Sequence, residues 1–300
     1  MPGSPVGVVY RADPGLCGGR RVGDAPTEGR ALYAGLRALV VPEDRHSRFP
    51  RRGVTAHLIS VDGVHPQRTA GTVTGVIERP PVDLATVRRL AAEVDTTALC
   101  DAVADIRVMS PALRCRSANP VLCGRALTVR CRDDFFGVIQ AIEQSGAGDV
   151  LVVDGGGRET ALAGELFARV ALAKELAGII IDGGYRDLRF IATCRLPVYS
   201  RHVSPRAGTT SRLAVLAETV SCGGVPVHPG DIVIADHDGV VVLDPSQAVA
   251  QLTAAAEVMA TEARVVERLA AGATLGDCLN VTAHADRLAR GEPSRLRFTV

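Results

Sequence analysis

Three side chains have the types and spacing to hold an oxyanion beside a divalent cation: Glu165 and, after twenty intervening residues, the adjacent pair Arg186-Asp187. A hard cation such as Mg²⁺ takes one or two protein carboxylates, keeps several waters and leaves positions for substrate oxygens. Asp187 as the direct ligand, with Glu165 holding a metal water, fits that pattern. Arg186 adds a permanent charge and a fork of donors suited to a carboxylate or enolate oxygen. An isolated Arg-Asp pair is usually a surface ion pair of little energetic worth, so the reading depends on where the chain puts it.

The flanking pattern places it. Gly148 to Asp154 reads as a buried strand, Glu165 to Ala177 as a helix stopped at Gly178, and Ile179 to Asp182 as the next strand. Joined this tightly, they predict a right-handed parallel unit with both strands ending on one side, where open sheets bind ligands. Gly164 opens the helix, so the amides of Glu165, Leu166 and Phe167 lack intrahelical acceptors and attract a carboxylate or phosphate. Helices are expected over 83–90, 96–103, 136–144 and from Pro245-Ser246-Gln247 to about Ala271. A strand is expected over 126–131, others over 196–200 and 218–222, and a hairpin or kinked strand pair over 232–243. The architecture is a mixed α/β sheet with flanking helices and a β-rich second half.

Composition removes several function classes. The 300 residues are 47% hydrophobic, enough for a real core, while a net charge of +1 and 3% aromatics give no case for nucleic acid or membrane. No run approaches a membrane span and no leader is evident, so a cytoplasmic protein is expected. The eight cysteines include no Cys-x-x-Cys pair and read as buried reduced thiols. Thirty-three of the 34 basic residues are arginine, leaving Lys174 as the only lysine for a Schiff base. It is expected on the helix face opposite Glu165, solvated and unreactive. His202, His228 and His237 read as loop or packing histidines. Gly155-Gly156-Gly157 lacks dinucleotide-loop spacing and reads as a tight turn out of a strand. Residues 1–80, with 11 Arg against 7 acids and no sustained period, read as a flexible N-terminal extension ahead of a domain over 81–300.

Glu165 and Arg186-Asp187 combine with Asp149 to Gly157 upstream. Downstream lie Gly223-Gly224-Val225, Pro229-Gly230-Asp231 and Ala235-Asp236-His237-Asp238-Gly239-Val240. Together these resemble the RraA-like family over roughly residues 84–270. That family includes class II 4-hydroxy-4-methyl-2-oxoglutarate aldolases, which also decarboxylate oxaloacetate, and the regulator of ribonuclease activity A. The resemblance implies a swivelling α/β/β sandwich and a homotrimer or dimer of trimers with sites near subunit boundaries. It also implies a small 2-oxo acid substrate held by the amides of Gly164 to Phe167 and by Arg186, with Asp187 holding Mg²⁺ or Mn²⁺. The regulators lack the aspartate after the arginine, so Asp187 favours an enzyme. Many members carry Asp-Asn where this chain reads Asp134-Phe135. The expected reaction is retro-aldol cleavage of a 4-hydroxy-2-oxo acid to pyruvate, with Arg186 stabilising the enolate and Glu165 acting as base through a water. A non-catalytic regulator is the alternative. A methyltransferase, with Asp154 and the three glycines as a faint cofactor loop, is a third reading.

Overall fold

The computed structural model describes residues 82–300. The expectations for residues 1–80, and the domain boundary near 80, lie outside the described residues. In chain order the elements are α1 (Leu84–Ala91), α2 (Thr96–Ala102), β1 (Arg107–Val108), β2 (Arg114–Cys115), β3 (Leu122–Arg130), α3 (Phe136–Gln144), β4 (Asp149–Asp154) and β5 (Ala161–Ala163). There follow α4 (Glu165–Ala173), β6 (Gly178–Tyr185), α5 (Leu188–Ile191), β7 (Val198–Val203), β8 (Val220–Cys222) and β9 (Val225–Val227). The last are β10 (Ile232–Ala235), β11 (Val240–Leu243), α6 (Ala248–Ala270), a 3-10 turn (Leu275–Cys278) and α7 (Val281–Ala289).

One sheet runs β1-β11-β10-β3-β4-β6-β7-β2, with β5 added to β6. The β3-β4-β6-β7 block is parallel and β1, β11 and β10 are antiparallel to their neighbours, so the expected hairpin over 232–243 is formed. Strand alternation divides the core in two. Leu127, Val129, Leu151, Val153, Ile179 and Ile181 face α3 and α4. On the other face Ala126, Val150, Val152 and Ile180 pack with Val220, Cys222 and Val227 of the β8-β9 hairpin. On β10, Ile232 and Ile234 extend the helix-covered face under α1, α2 and α6. Helices, sheet and hairpin thus form the expected α/β/β sandwich. All eight residues of β6 are buried. Each of its Ile side chains contributes about 1.5–3 kcal/mol of transfer free energy, so the strand that delivers Arg186 is a rigid base.

Two local expectations are corrected. The helix over 165–177 ends at Ala173, because Glu175 turns left-handed (φ 58°) and its carbonyl accepts from Gly148 N at 2.9 Å. The last residues before Gly178 therefore pair with the start of β4. Lys174 consequently leaves the helix face. Its ammonium donates to the carbonyls of Ile142 (2.6 Å), Glu143 (2.6 Å) and Ser145 (3.4 Å), closing the C-terminus of α3, where the helix dipole favours a cation. A missed element, β5, adds beside Gly184, where a Cβ would come within 2.3 Å of the Glu159 carbonyl. The glycine there is a requirement of space.

Candidate active site

The crossover between β4 and β6 brings Gly164, Glu165, Arg186 and Asp187 together. Arg186 N donates to Ala163 O (3.1 Å) and the buried Tyr185 hydroxyl to Gly164 O (2.9 Å), locking the end of β6 to the start of α4. Asp187 then adopts a left-handed backbone (φ 63°), a conformation that costs of order 1 kcal/mol and that Asp tolerates better than most residues. This turns its carboxylate onto the helix start, where Oδ2 accepts from Glu165 N at 2.9 Å. Gly164 is extended (φ −166°), so space is what requires glycine: a Cβ would lie 2.3 Å from Asp187 Oδ2 and 2.8 Å from Arg186 Cγ.

The first amide of α4 is therefore given to Asp187. The amides of Leu166 and Phe167 have no acceptor among the described residues. Arg186 Nε lies 3.6 Å from Asp187 Oδ2, and both side chains are about two-fifths exposed (41% and 40%). Asp187 Oδ1 has no hydrogen-bond partner among the described residues. Glu165 turns along the helix to Arg169, whose Nη2 lies 2.7 Å from Oε1 and whose guanidinium stacks on Phe190 at 4.3 Å from the ring centroid. These positions set one free carboxylate oxygen, two free amides and one guanidinium side by side.

No cluster of three His, Cys, Asp or Glu side chains suited to a metal occurs among the described residues. The described residues thus offer no zinc-type centre, whereas a lone, part-exposed carboxylate suits a hard divalent cation that keeps several of its waters. The Asp187 Oδ1 donor beside a Gly164 that admits no side chain fits such an ion.

A neighbouring acid behaves differently, and sequence reasoning gave it little weight. Asp134 is 5% exposed. It accepts from Thr209 Oγ1 (2.7 Å), Ser211 N (2.6 Å), Ser211 Oγ (3.2 Å), Arg212 N (3.2 Å) and Phe136 N (3.0 Å). Burial pushes its carboxyl up, but the Thr209 hydroxyl and the Ser211 and Phe136 amides outweigh that and hold it at about 2. Thr209 to Arg212 lie 75 to 78 residues away in sequence, with no local signal to announce them. This crossing segment covers a cavity of about 170 Å³ at the end of β3, lined by Arg130, Arg132, Asp134, Gly137, Arg212 and Ala214. Phe135, which follows Asp134, packs edge-on against Phe167 with ring centroids 5.9 Å apart.

The remaining candidates take structural places. Gly156 N donates to Asp154 Oδ1 (2.9 Å) and Gly157 N to Asp182 O (2.9 Å), so the three glycines form the turn that leaves β4 toward β5. His202 meets Gly157 O (3.0 Å) and His228 meets Thr219 Oγ1 (2.8 Å). The described cysteines are free thiols, four of them buried and Cys100 exposed. Burial pushes Cys131 up to about 12, far from a nucleophilic thiolate, and Cys17 lies outside the described residues. No described helix is long and apolar enough to cross a membrane.

A family profile, RraA-like: Aldolase/RraA, matches residues 96–242, which contain every candidate site residue above. A Halalkalibacterium halodurans protein provisionally named 4-hydroxy-4-methyl-2-oxoglutarate aldolase is 31% identical over 156 residues, 51% of this chain and 74% of that protein. An Aromatoleum aromaticum protein with the same provisional name is 36% identical over 51% of this chain and 98% of its own length. Among solved structures, Streptomyces coelicolor RraAS2, described as an unusual member of the RNase ES inhibitor RraA family, superposes with a TM-score of 0.55. It is 26% identical and covers 63% of this chain and 100% of its own. With the α/β/β sandwich shared and relatives matched along most of their length, the chain belongs to the RraA-like family.

Proposed function

We propose that the protein is a divalent-metal-dependent aldolase that cleaves a 4-hydroxy-2-oxo acid, such as 4-hydroxy-4-methyl-2-oxoglutarate, to pyruvate. The observation that carries this reading is the Asp187 carboxylate, which keeps one oxygen free beside Arg186 at the start of α4. Asp187 Oδ1 would hold Mg²⁺ or Mn²⁺, and Glu165 would hold a water on it. When bound, such an ion supplies Lewis acidity toward the 2-oxo group. The amides of Leu166 and Phe167 seat the substrate carboxylate at the positive end of the helix. Arg186 meets the oxygen that gains negative charge as the C3–C4 bond breaks, a preorganised donor of the oxyanion-hole kind. Glu165 takes the C4 hydroxyl proton through a water, and Arg169 on its Oε1 leaves Oε2 for that contact. Oxaloacetate would lose CO₂ through the same pyruvate enolate.

The exposure of Arg186 and Asp187 in a single copy agrees with a site finished by a neighbouring copy, as in a trimer or dimer of trimers. The likeness to RraAS2 favours a second reading, a non-catalytic regulator of the same fold. Pyruvate release from a panel of 4-hydroxy-2-oxo acids and oxaloacetate separates the two. Chelator-sensitive release from at least one substrate supports the aldolase. No release from any of them, with metal present, supports the regulator.

A further inference from the structure

The C-terminal segment lies beyond the residues matched by the family profile, and it gathers positive charge at one place. From Val281 to Val300 there are four arginines and two acids. The extended stretch at 295–298 runs antiparallel to 279–280 through a Leu279-Phe298 bridge, and Asn280 fixes it from both sides of its amide. Asn280 Oδ1 accepts from Arg297 N (2.7 Å), its Nδ2 donates to Arg295 O (3.2 Å), and its own N donates to Arg297 O (3.1 Å). Alternation in an extended chain puts Arg295 and Arg297 on one face. Arg287 of α7 approaches the same cavity, which measures about 570 Å³ and is also lined by Asn280 and Ser294. That volume is within the range of small-molecule sites.

The charges there are not balanced. Glu292 is shared between Arg287 (3.4 Å) and Arg290 (2.8 Å). The carbonyl end of Val300 is engaged by Arg264 (3.3 Å). The guanidinium groups of Arg295 and Arg297 make no hydrogen bond or ion pair among the described residues. Scattered surface arginines are ordinarily just solvated, but here the backbone beneath two of them is pinned and a third converges from a helix. Planar guanidinium forks match the oxygens of a phosphate better than a point charge does.

We infer that the cavity between α7 and the 293–297 stretch is a second, anion-binding site for a small phosphorylated molecule, of the phosphate monoester or diphosphate class. The site is independent of the chemistry proposed at Asp187. Calorimetric titration of the full chain with inorganic pyrophosphate, and in parallel with inorganic phosphate, tests it. Saturable pyrophosphate binding with a Kd of about 1 mM or tighter is expected, weakening as salt rises. Arg295→Gln together with Arg297→Gln should weaken it by about tenfold or more, since each loses a charge-assisted fork. Arg114→Gln, an exposed arginine elsewhere, should leave it unchanged. All three side chains are exposed, so matching circular dichroism and Tm will establish that the variants fold. No saturable binding by the unmodified chain, or an affinity unaltered in the double variant or equally reduced in Arg114→Gln, would overturn the assignment.

Discussion

Two aspartates lie on loops at the carboxyl edge of the parallel strands, and the protein treats them in opposite ways. Asp134 is buried and satisfied by five donors drawn from two segments far apart in sequence. Asp187 is two-fifths exposed, accepts one amide, sits on a strained left-handed backbone and keeps an oxygen free. A carboxylate whose lone pairs are all used can hold a loop in place but cannot take a ligand. One that is held by a single amide, at some conformational cost, remains available for chemistry. The difference separates a structural acid from a functional one, although both sit next to an arginine or a basic cavity.

Substitutions at the two positions should therefore fail in different assays. Asp187→Ala is expected to abolish turnover while Tm falls by only a few degrees, since the side chain is part-exposed and alanine bears the left-handed backbone only somewhat less well than Asp. Full activity in this variant would break the contrast. Arg186→Lys comes next: a point charge replaces the fork, and kcat should fall on the order of a hundredfold, as for loss of one oxyanion donor. Tolerance of lysine would make Arg186 merely structural.

Asp134→Ala should do the reverse, costing on the order of 2–3 kcal/mol in denaturant unfolding because charged hydrogen bonds and buried amides lose their partner. The pH dependence has a definite sign. The folded carboxyl is held at about 2, below its ordinary value near 3.8. Its contribution is therefore fully present above pH ~4 and is lost as pH falls toward 2. The stability gap between the native chain and Asp134→Asn should narrow across that window. A gap that stays constant down to pH 2 would deny the hydrogen-bonded carboxylate its structural role.

Smaller effects follow at Lys174. Lys174→Arg should leave turnover within about twofold, whereas Lys174→Met should cost about 1 kcal/mol by uncapping the α3 carbonyls. A pyruvate adduct trapped on Lys174 by borohydride would contradict the first expectation, and an unchanged unfolding free energy in Lys174→Met the second. Removing residues 1–80, upstream of the matched residues 96–242, is expected to change kcat/KM least of all. Loss of activity in that truncated chain would show that the segment completes the site.

Much of this was legible in the sequence because it is written in local periodicity. β4, α3 and the pair at β10 and β11 follow from runs such as Asp149 to Asp154 and Phe136 to Gln144. The adjacency of Glu165 and Asp187 follows from a short parallel crossover. Less visible was whatever depends on distant partners. The three carbonyls that fix Lys174 lie about thirty residues away, and the donors to Asp134 about seventy-five. The left-handed turn at Asp187, which decides how its carboxylate meets the Glu165 amide, had no glycine to announce it. The spatial need at Gly164 could have been suspected from a glycine opening a helix, but only the approach of Asp187 explains it.

The measurement that bears most directly on the Asp187 site is metal reconstitution followed through pyruvate release. The protein is stripped with chelator, and Mn²⁺ is added back to the native chain, to Asp134→Asn and to Asp187→Ala. Restored release of pyruvate from 4-hydroxy-4-methyl-2-oxoglutarate is expected for the native chain and for Asp134→Asn, with none for Asp187→Ala. Equal turnover in stripped and reconstituted protein, or recovery in Asp187→Ala, would contradict a metal-dependent aldolase centred on Asp187.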